Sequence, residues 1–289
     1  MVLISAVIAG CSRGQPARDD SAAVVDDYGE AIIASPPARR IVSLNPTTTE
    51  ILFALGAGDR VIGRSRWDQW PEAARAVPEV GDAIRPSVER ILAAHPDLVV
   101  LYASGDNRAA ADALRKAGLR VVALRVDRIA DFARCVTLLG ALTGESDAAS
   151  VAVDSVERSL AAVKRAMQGK SRPRVFIHVW DNPLMAIGGG SFLSELVEIA
   201  GGRNIYGDRP EPSPQVSFED LVRREPDVIL AGPVDAARLR REPRWTRLLA
   251  LRKGRIVAYD TSLVGRPSMR LGEAAHSLAT LLHPSVEFH

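Results

Sequence analysis

The sequence predicts an α/β protein with two Rossmann-like lobes. Each lobe is expected to contain a central parallel sheet, and a single long helix is expected to join the lobes, with a ligand cleft between them. Three observations predict this fold class: a repeated segment, alternating strand and helix patterns in both halves, and one long amphipathic segment between the halves. A chain of 289 residues is long enough for two domains of about 100–200 residues each.

The repeated segment reads VERILAAHPDLVVL at residues 88–101 and FEDLVRREPDVILA at residues 218–231. Apolar residues recur at helical spacing, a proline ends the helix and favours extended geometry for the residue before it, and an apolar run follows. A strand that is apolar on both faces suits a parallel sheet covered by helices. Helix-Pro-Asp-strand junctions can recur by chance, but here Glu89 and Glu219 also keep register. The repeat therefore predicts two similar lobes.

The first half alternates strand and helix patterns throughout. Its first helix opens with Thr47-Thr48-Thr49-Glu50, a capping-box pattern. Strands are predicted at 40–44, 60–63, the first repeat copy and 120–124, and helical segments at 47–55, 71–77 and 107–117. The loops after parallel strands form the ligand face, which here comprises residues 45–48, 64–70, 102–106 and 125–128.

The segment between the halves is one long amphipathic helix. Its apolar residues step by three and four from Ala149 to Met167, Ser146 is placed to cap its start, and Gly169 marks its end. About 20 helical residues reach roughly 30 Å, the diameter of a small domain. A single helical connection is stiff, so we expect only a small closure of the lobes.

The second half repeats the alternation. Strands are predicted at 174–179, in the second repeat copy and at 255–259, a loop at 180–190, and helices at 192–200, near 236–249 and at 269–282.

The start of the chain has the pattern of an export signal. Residues 1–10 form an apolar stretch too short to span about 30 Å of hydrocarbon, and small residues precede Cys11 as in a bacterial lipobox. No basic segment precedes the stretch, so translation can begin upstream of Met1. The alternative to a signal peptide is a buried strand at residues 2–10. The predicted organisation is a lipoprotein signal peptide at 1–10, lipidation at Cys11, a tether at 11–38, an N-terminal lobe at 39–142, a linker helix at 143–170 and a C-terminal lobe at 171–289.

Composition and motifs argue against several functions. The net charge is only +2, so the composition lacks the excess of positive charge that is typical of nucleic-acid-binding proteins. The five histidines lack paired zinc spacing, and no catalytic triad or carboxylate pair is evident. The loop Gly188-Gly189-Gly190-Ser191 lacks the rest of a phosphate-binding motif and is read as a turn. His178 is read as a core residue, with axial ligation of a ligand's metal as the alternative. We therefore expect a binding protein that uses no catalytic residues, metal site or cofactor of its own; the less favoured alternative is an α/β enzyme that uses a nucleotide or a metal.

Aromatic residues concentrate in the predicted strand-end loops. Trp67, Trp70, Tyr102 and Trp180 fall there, although only 5% of the chain is aromatic. Each large ring buries about 150–250 Å², which suits a broad, partly apolar ligand.

Four segments carry a resemblance to a known family. RIVSLNPTTTEILFALG, SRWDQWPEA, SVERILAAHPDLVVL and PQVSFEDLVRREPDVIL resemble the helical-backbone (class III) substrate-binding proteins of ABC importers, most closely the cobalamin-binding members, over residues 40–284. The resemblance implies a monomeric, extracytoplasmic receptor that faces the periplasm or is anchored to the cell membrane by lipid alone. Its partners would be a small-molecule ligand and a permease dimer with ATPase subunits. Glu89 and Glu219 match the family positions that dock on permease arginines.

The resemblance and the loop positions together give a set of ligand-binding candidates. The resemblance implies that the ligand is cobalamin or another corrinoid such as cobinamide. Ala83 and Ser213 replace aromatic residues of the family pattern, so haem or a ferric siderophore stays open as the alternative. The candidates are Thr47, Thr48, Trp67, Trp70, Tyr102, Trp180, Asn182 and Arg266.

Overall fold

The computed structural model describes residues 23–285. The predicted signal peptide at 1–10 and the predicted lipidation site Cys11 lie outside the described residues. Among the residues described, no helix is both long enough and apolar enough to cross a bilayer.

The N-terminal lobe is built on a five-stranded parallel sheet, whose strands lie in the order 79–81, 61–65, 41–43, 98–102 and 120–124. Its strands alternate with helices, as predicted. The elements are β3 (Ile41–Ser43), α1 (Pro46–Ala54), β4 (Val61–Ser65), β5 (Glu79–Gly81), α2 (Val88–Ala93), β6 (Leu98–Tyr102), α3 (Arg108–Lys116), β7 (Arg120–Leu124) and α4 (Ile129–Thr143), with 3-10 turns at Gly58–Arg60 and Glu72–Ala76.

The C-terminal lobe repeats this plan. Its parallel strands lie in the order 203–204, 174–181, 228–231 and 256–258, and the strand at 184–186 is added antiparallel to the strand at 174–181. The elements are β8 (Arg174–Asp181), β9 (Leu184–Ala186), α6 (Phe192–Ile199), β10 (Arg203–Asn204), α7 (Phe218–Arg224), β11 (Val228–Ala231), α8 (Pro233–Leu239), α9 (Leu249–Arg252), β12 (Ile256–Ala258), α10 (Thr261–Val264) and α11 (Leu271–Leu282), with a 3-10 turn at Pro243–Arg247. The predicted two-lobed α/β fold is confirmed.

The lobes are joined by α5 (Ser146–Ala166), the predicted linker helix. Its buried face includes Val156 and Leu160, which belong to one apolar cluster that also contains Ile41 of β3 and Ile177 of β8. The helix packs on α4 on one side and on α6 and α11 on the other. Because the linker is part of a core shared by both lobes, bending it would expose apolar surface to water.

The two repeat copies fold alike, down to their aspartates. The carboxylate of Asp97 accepts hydrogen bonds from the backbone N–H groups of Arg39 and Arg40, before β3, and that of Asp227 accepts one from the N–H of Arg174, in β8. The expected extended geometry before each proline is wrong. His95 and Glu225 have φ values of +49° and +41°, because each ends its helix in a left-handed turn of the kind that commonly terminates helices.

Three further expectations need correction. The tether at 11–38 is too long, because β1 (Ala23–Val25) and β2 (Ala31–Ile33) form a hairpin beside β7, where buried Asp26 accepts from the N–H of Ala123 at 3.0 Å. The loop at 180–190 contains β9. The helix at 236–249 is broken into α8, a 3-10 turn and α9, since Pro243 has no N–H to continue a helix.

Candidate functional site

Exposed aromatic surface marks the carboxyl ends of the parallel strands. Trp67 and Trp70 follow β4 and are 57% and 42% exposed, and Trp180 lies at the end of β8 and is 64% exposed. Val179, beside Trp180, is also exposed. Because apolar side chains this large are normally buried, their exposure in strand-end loops of both lobes indicates a binding surface.

A buried carboxylate shapes the loop that carries the N-terminal tryptophans. Asp68 is fully buried and accepts from the N–H of Ser65 at 3.0 Å, from the Ser65 hydroxyl at 2.9 Å and from the Thr49 hydroxyl at 2.9 Å. Burial raises the pKa of Asp68, and these donors oppose the rise. Because the Asp68 side chain is held in the protein interior, the neighbouring side chains of Trp67 and Trp70 are left exposed to solvent.

Arginines accompany both tryptophans of this loop. The guanidinium of Arg66 lies 5.7 Å from the ring centre of Trp67, and that of Arg270, from the other lobe, lies 4.7 Å from the ring centre of Trp70. Such contacts are favourable by about 0.5–1 kcal/mol at exposed sites. Arg270 is not recognisable as a site residue from the sequence, because it lies 200 residues from Trp70 and no local pattern connects the two.

The C-terminal side of the surface is the turn between β8 and β9. The indole N–H of Trp180 donates to the carbonyl of Asn182 at 3.1 Å, and the Asn182 side chain is exposed. Asp181, between them, pairs with Arg244 at 3.0 Å and also with Arg238. These bonds fix the turn, so that Trp180 and Asn182 project from a supported backbone. The structure therefore leaves both candidates accessible to a ligand.

Thr47 and Thr48 do not belong to an exposed site, contrary to the prediction. Both are buried; the Thr47 hydroxyl donates to the carbonyl of Pro267 at 2.9 Å, and the Thr48 hydroxyl donates to the carbonyl of Asn45 at 3.0 Å. The predicted capping box is wrong as well. Asn45 caps α1 by accepting from the N–H of Thr47, and the Glu50 carboxylate is bonded to the other lobe.

Arg266 and Tyr102 are also engaged in protein contacts. Arg266 pairs with buried Glu50 at 3.3 Å, and Glu50 accepts from the N–H of Met269 at 3.1 Å; burial raises the pKa of Glu50. The Tyr102 hydroxyl donates to Asp127 at 2.7 Å, and burial, with this bond, raises the pKa of Tyr102. Each side chain retains partial exposure, so both stay at the edge of the candidate site.

Within the part of the chain that the structure describes, hydrogen bonds join the lobes at two places. One is the contact of Thr47 and Glu50 with residues 266–269. At the other, the N–H of Phe192 donates to the carbonyl of Asp127 at 2.6 Å, and the N–H of Ile129 donates to Glu195 at 2.8 Å. Opening the lobes would break both sets of bonds.

Glu89 and Glu219 occupy equivalent places. Each is the second residue of its helix, follows a serine cap and is exposed. The cap hydroxyls of Ser87 and Ser217 accept from the N–H groups of Arg90 and Asp220. A carboxylate in the first turn of a helix is favourable by about 0.3–1 kcal/mol. Helix stabilisation therefore explains why a glutamate occurs at each position, but not why both glutamates are exposed at equivalent places on the two lobes.

The triple-glycine loop, Gly188 to Gly190, packs closely against the backbone of another loop. The N–H groups of Gly188 and Gly189 donate to the carbonyls of Pro212 and Arg209 at 3.0 and 2.7 Å, so they are not free to hold a phosphate. A Cβ at Gly190 would lie 2.1 Å from the carbonyl oxygen of Pro210. The glycines allow two backbone segments to touch.

Replacing Gly190 by alanine is therefore expected to destabilise the protein by about 1–3 kcal/mol, because the added methyl overpacks two backbones. Thermal unfolding measures the effect. Gly105→Ala is the matched control, since a Cβ there has nothing within 4 Å. Equal unfolding temperatures for the two variants would contradict the close packing.

His178 lies in the core. It is 2% exposed, and its ring packs edge-on against Phe176 and Trp245 at centroid distances of 6.3 and 5.8 Å. Its Nε2 atom is 3.2 Å from Asp181. The alternative of axial ligation is therefore wrong for this arrangement. Within residues 23–285, no three His, Cys, Asp or Glu side chains form a group that could hold a metal ion.

A separate cavity of 970 Å³ lies beside α6 and β10. Its charged lining consists largely of arginines held by carboxylates, such as Arg174 with Asp227 and Arg224 with Asp208. None of the predicted ligand-binding residues lines it. We assign the candidate site to the aromatic surface, because the exposed tryptophans and the strand ends coincide there.

Comparisons with known proteins agree with this architecture. A model of the family described as periplasmic binding protein matches residues 41–263. The vitamin B12-binding protein of Salmonella paratyphi A is 31% identical over 248 residues, which cover 85% of this chain and 90% of that protein. The periplasmic vitamin B12 binding protein of Vibrio cholerae has a solved structure with a TM-score of 0.76 and 25% identity, covering 86% of this chain and 98% of its own. The periplasmic heme-binding protein from Roseiflexus sp. RS-1 shares the fold, with a TM-score of 0.74, 24% identity and coverage of 86% and 98%.

Proposed function

Because this chain belongs to the periplasmic binding protein family, we propose that it is the extracytoplasmic receptor of an ABC importer that captures cobalamin or a related corrinoid and delivers it to the permease. The proposed role is binding and release, without chemical change of the ligand.

The observation that carries the proposal is the set of three exposed tryptophans, Trp67, Trp70 and Trp180, at strand ends of both lobes. A corrinoid has a broad ring with an amide periphery. Indole rings supply large, rigid apolar contact area at a small entropic cost, and the exposed amide of Asn182 can exchange hydrogen bonds with ligand amides. Similarity to vitamin B12-binding proteins supports the same ligand class.

Haem is the second candidate. Arg66 and Arg270 lie on the rings of Trp67 and Trp70, and guanidinium groups pair well with carboxylates such as haem propionates. A heme-binding protein also shares the fold. A corrinoid ranks first because the more similar relatives are vitamin B12-binding proteins.

Delivery is proposed to occur through Glu89 and Glu219. Two carboxylates on two similar lobes suit a permease made of two similar subunits, because each subunit then meets the same charge. We also propose lipid attachment at Cys11, on the basis of the lipobox-like sequence before it; mass spectrometry of the membrane-extracted protein, with Cys11→Ser as control, tests this attachment.

Titration of the purified protein with cyanocobalamin, dicyanocobinamide, haemin and a ferric hydroxamate distinguishes the ligand classes. We expect saturable quenching of tryptophan fluorescence at one corrinoid per protein, because the exposed indoles would contact an absorbing ring. Calorimetry of the same mixtures excludes optical artefacts, and chromatography checks that the ligand is released unchanged. Tight binding of haemin alone would replace the corrinoid proposal, and conversion of a ligand would contradict the binding role.

A further inference from the structure

The turn that carries Trp180 is held by a closed set of ion pairs. The two carboxylate oxygens of Asp181 pair with two different arginines, with Arg244 at 3.0 Å and with Arg238. The two carboxylate oxygens of Glu242 pair with the same arginines, at 2.6 Å to Arg244 and 3.2 Å to Arg238. These four side chains alternate in charge and close on themselves, and we call them the ion-pair ring.

The helix break at Pro243 brings both arginines to the turn. Arg238 lies in the last turn of α8, and Arg244 lies in the 3-10 turn that follows. Residues six positions apart point about 120° apart around a continuous α-helix, so an unbroken helix would direct the two side chains to different sides. Because Pro243 has no N–H to continue a helix, the chain changes direction there and both guanidinium groups reach Asp181.

The ion-pair ring is anchored to the interior of the C-terminal lobe. The guanidinium group of Arg244 lies 5.7 Å from the aromatic centre of Trp245 and 5.6 Å from that of Phe218, and Trp245 is fully buried. Asp181 also lies 3.2 Å from Nε2 of His178, which is buried. The ion-pair ring therefore connects an exposed turn to buried side chains.

A closed network behaves differently from separate surface pairs. The four side chains are between 20% and 42% exposed, and an isolated pair with this exposure contributes little, because ordering two long side chains offsets the electrostatic gain. In the ion-pair ring each ordered side chain makes two ion pairs, so the ordering cost is shared between them. Loss of one member is therefore expected to loosen the other three.

We propose that Asp181 is a positioning residue for the ligand, and that the ion-pair ring holds Trp180 in the orientation that the ligand contacts. Asp181 acts through Trp180, whose indole N–H donates across it to the carbonyl of Asn182. An aromatic side chain that is already oriented loses less entropy when a ligand binds. Glu242, which is bonded to the arginines and not to the turn, thereby influences affinity from a distance. This inference rests on the proposed function, because it concerns affinity at the proposed site.

Calorimetry with cyanocobalamin tests the ion-pair ring through three variants: Asp181→Asn, Arg238→Gln with Arg244→Gln, and all three substitutions together. We expect the first two variants each to raise Kd about tenfold. The triple variant should be no weaker than either, because all three changes break the same network. Asp235→Asn is the matched control. It removes a carboxylate 2.7 Å from Arg238 within α8 and leaves the ion-pair ring intact, so Kd should be unchanged.

Fluorine NMR of protein labelled with 5-fluorotryptophan separates positioning from general stabilisation. In ligand-free Asp181→Asn, the Trp180 signal, assigned with Trp180→Phe, should shift and broaden. The signals of Trp67 and Trp70 should match those of the unsubstituted protein, because both lie in the other lobe. Asp235→Asn should leave all three signals in place.

An unchanged Trp180 signal in Asp181→Asn would overturn the inference. A lowered unfolding temperature with unchanged Kd would also overturn it, because the ion-pair ring would then stabilise the lobe without positioning the tryptophan. Losses that multiply in the triple variant would show that the side chains act separately. Failure of the unsubstituted protein to bind cyanocobalamin or any other ligand of the titration would instead contradict the proposed function, and the fluorine signals would still decide whether Asp181 positions Trp180.

Discussion

Reversing Glu89 and Glu219 together to lysine is expected to abolish transport while leaving ligand affinity unchanged. Both carboxylates are exposed, at the same position of equivalent helices. Replacing a close attractive charge pair by a repulsive one costs about 2–5 kcal/mol per site, so two sites weaken permease binding by roughly a thousandfold or more. Uptake of radiolabelled cobalamin by proteoliposomes measures delivery, and calorimetry measures ligand binding.

The control for this double reversal is Asp154→Lys with Glu157→Lys. Both residues are exposed on α5, and their reversal changes the net charge by the same amount. Unfolding temperatures should be nearly unaffected, because a first-turn carboxylate is favourable by only about 0.3–1 kcal/mol. Transport that survives in the glutamate variant, or a loss of transport that the control shares, would contradict docking at these two sites.

Replacing Trp67 and Trp180 by alanine should weaken cyanocobalamin binding by about 3 kcal/mol, or roughly a hundredfold in Kd. Each ring supplies about 150–250 Å² of contact area, and only part of it is exposed before binding, so the loss is smaller than that of full burial at about 25 cal/mol per Å². Stability should change little, because the rings are 57% and 64% exposed.

Calorimetry is the appropriate measurement for these variants, because the substitutions remove two of the three exposed tryptophans that report binding by fluorescence. Trp67→Phe with Trp180→Phe is the matched control, and it should retain most of the affinity by keeping two aromatic rings. An unchanged Kd in the alanine variant would place the ligand elsewhere. The cavity beside α6 and β10 would then be the next surface to test, through its exposed Arg203.

Local patterns predicted most of the elements. Helical spacing, proline and glycine positions and apolar runs act within a few residues of the chain, and β3, β7, α5 and α6 lie close to their predicted bounds. The repeat also predicted that Glu89 and Glu219 would lie at equivalent helix starts, as observed. Where a competing local rule applied, prediction failed: Pro243 broke an apparent helix, and the residues before Pro96 and Pro226 took left-handed geometry.

By itself, the sequence determined the two-lobed α/β plan, the linker helix and the loops that carry the tryptophans, because periodicity and chain breakers are local properties. Only the tertiary structure decided which of the candidate side chains stay accessible. Thr47 is buried by a carbonyl 220 residues away, and Arg266 is engaged by a carboxylate 216 residues away. The close approach of Gly190 to Pro210 likewise follows from how two loops pack. Contacts between residues so far apart in the chain, or between two packed loops, produce no periodic pattern in the sequence. They form only when whole helices, strands and loops pack together.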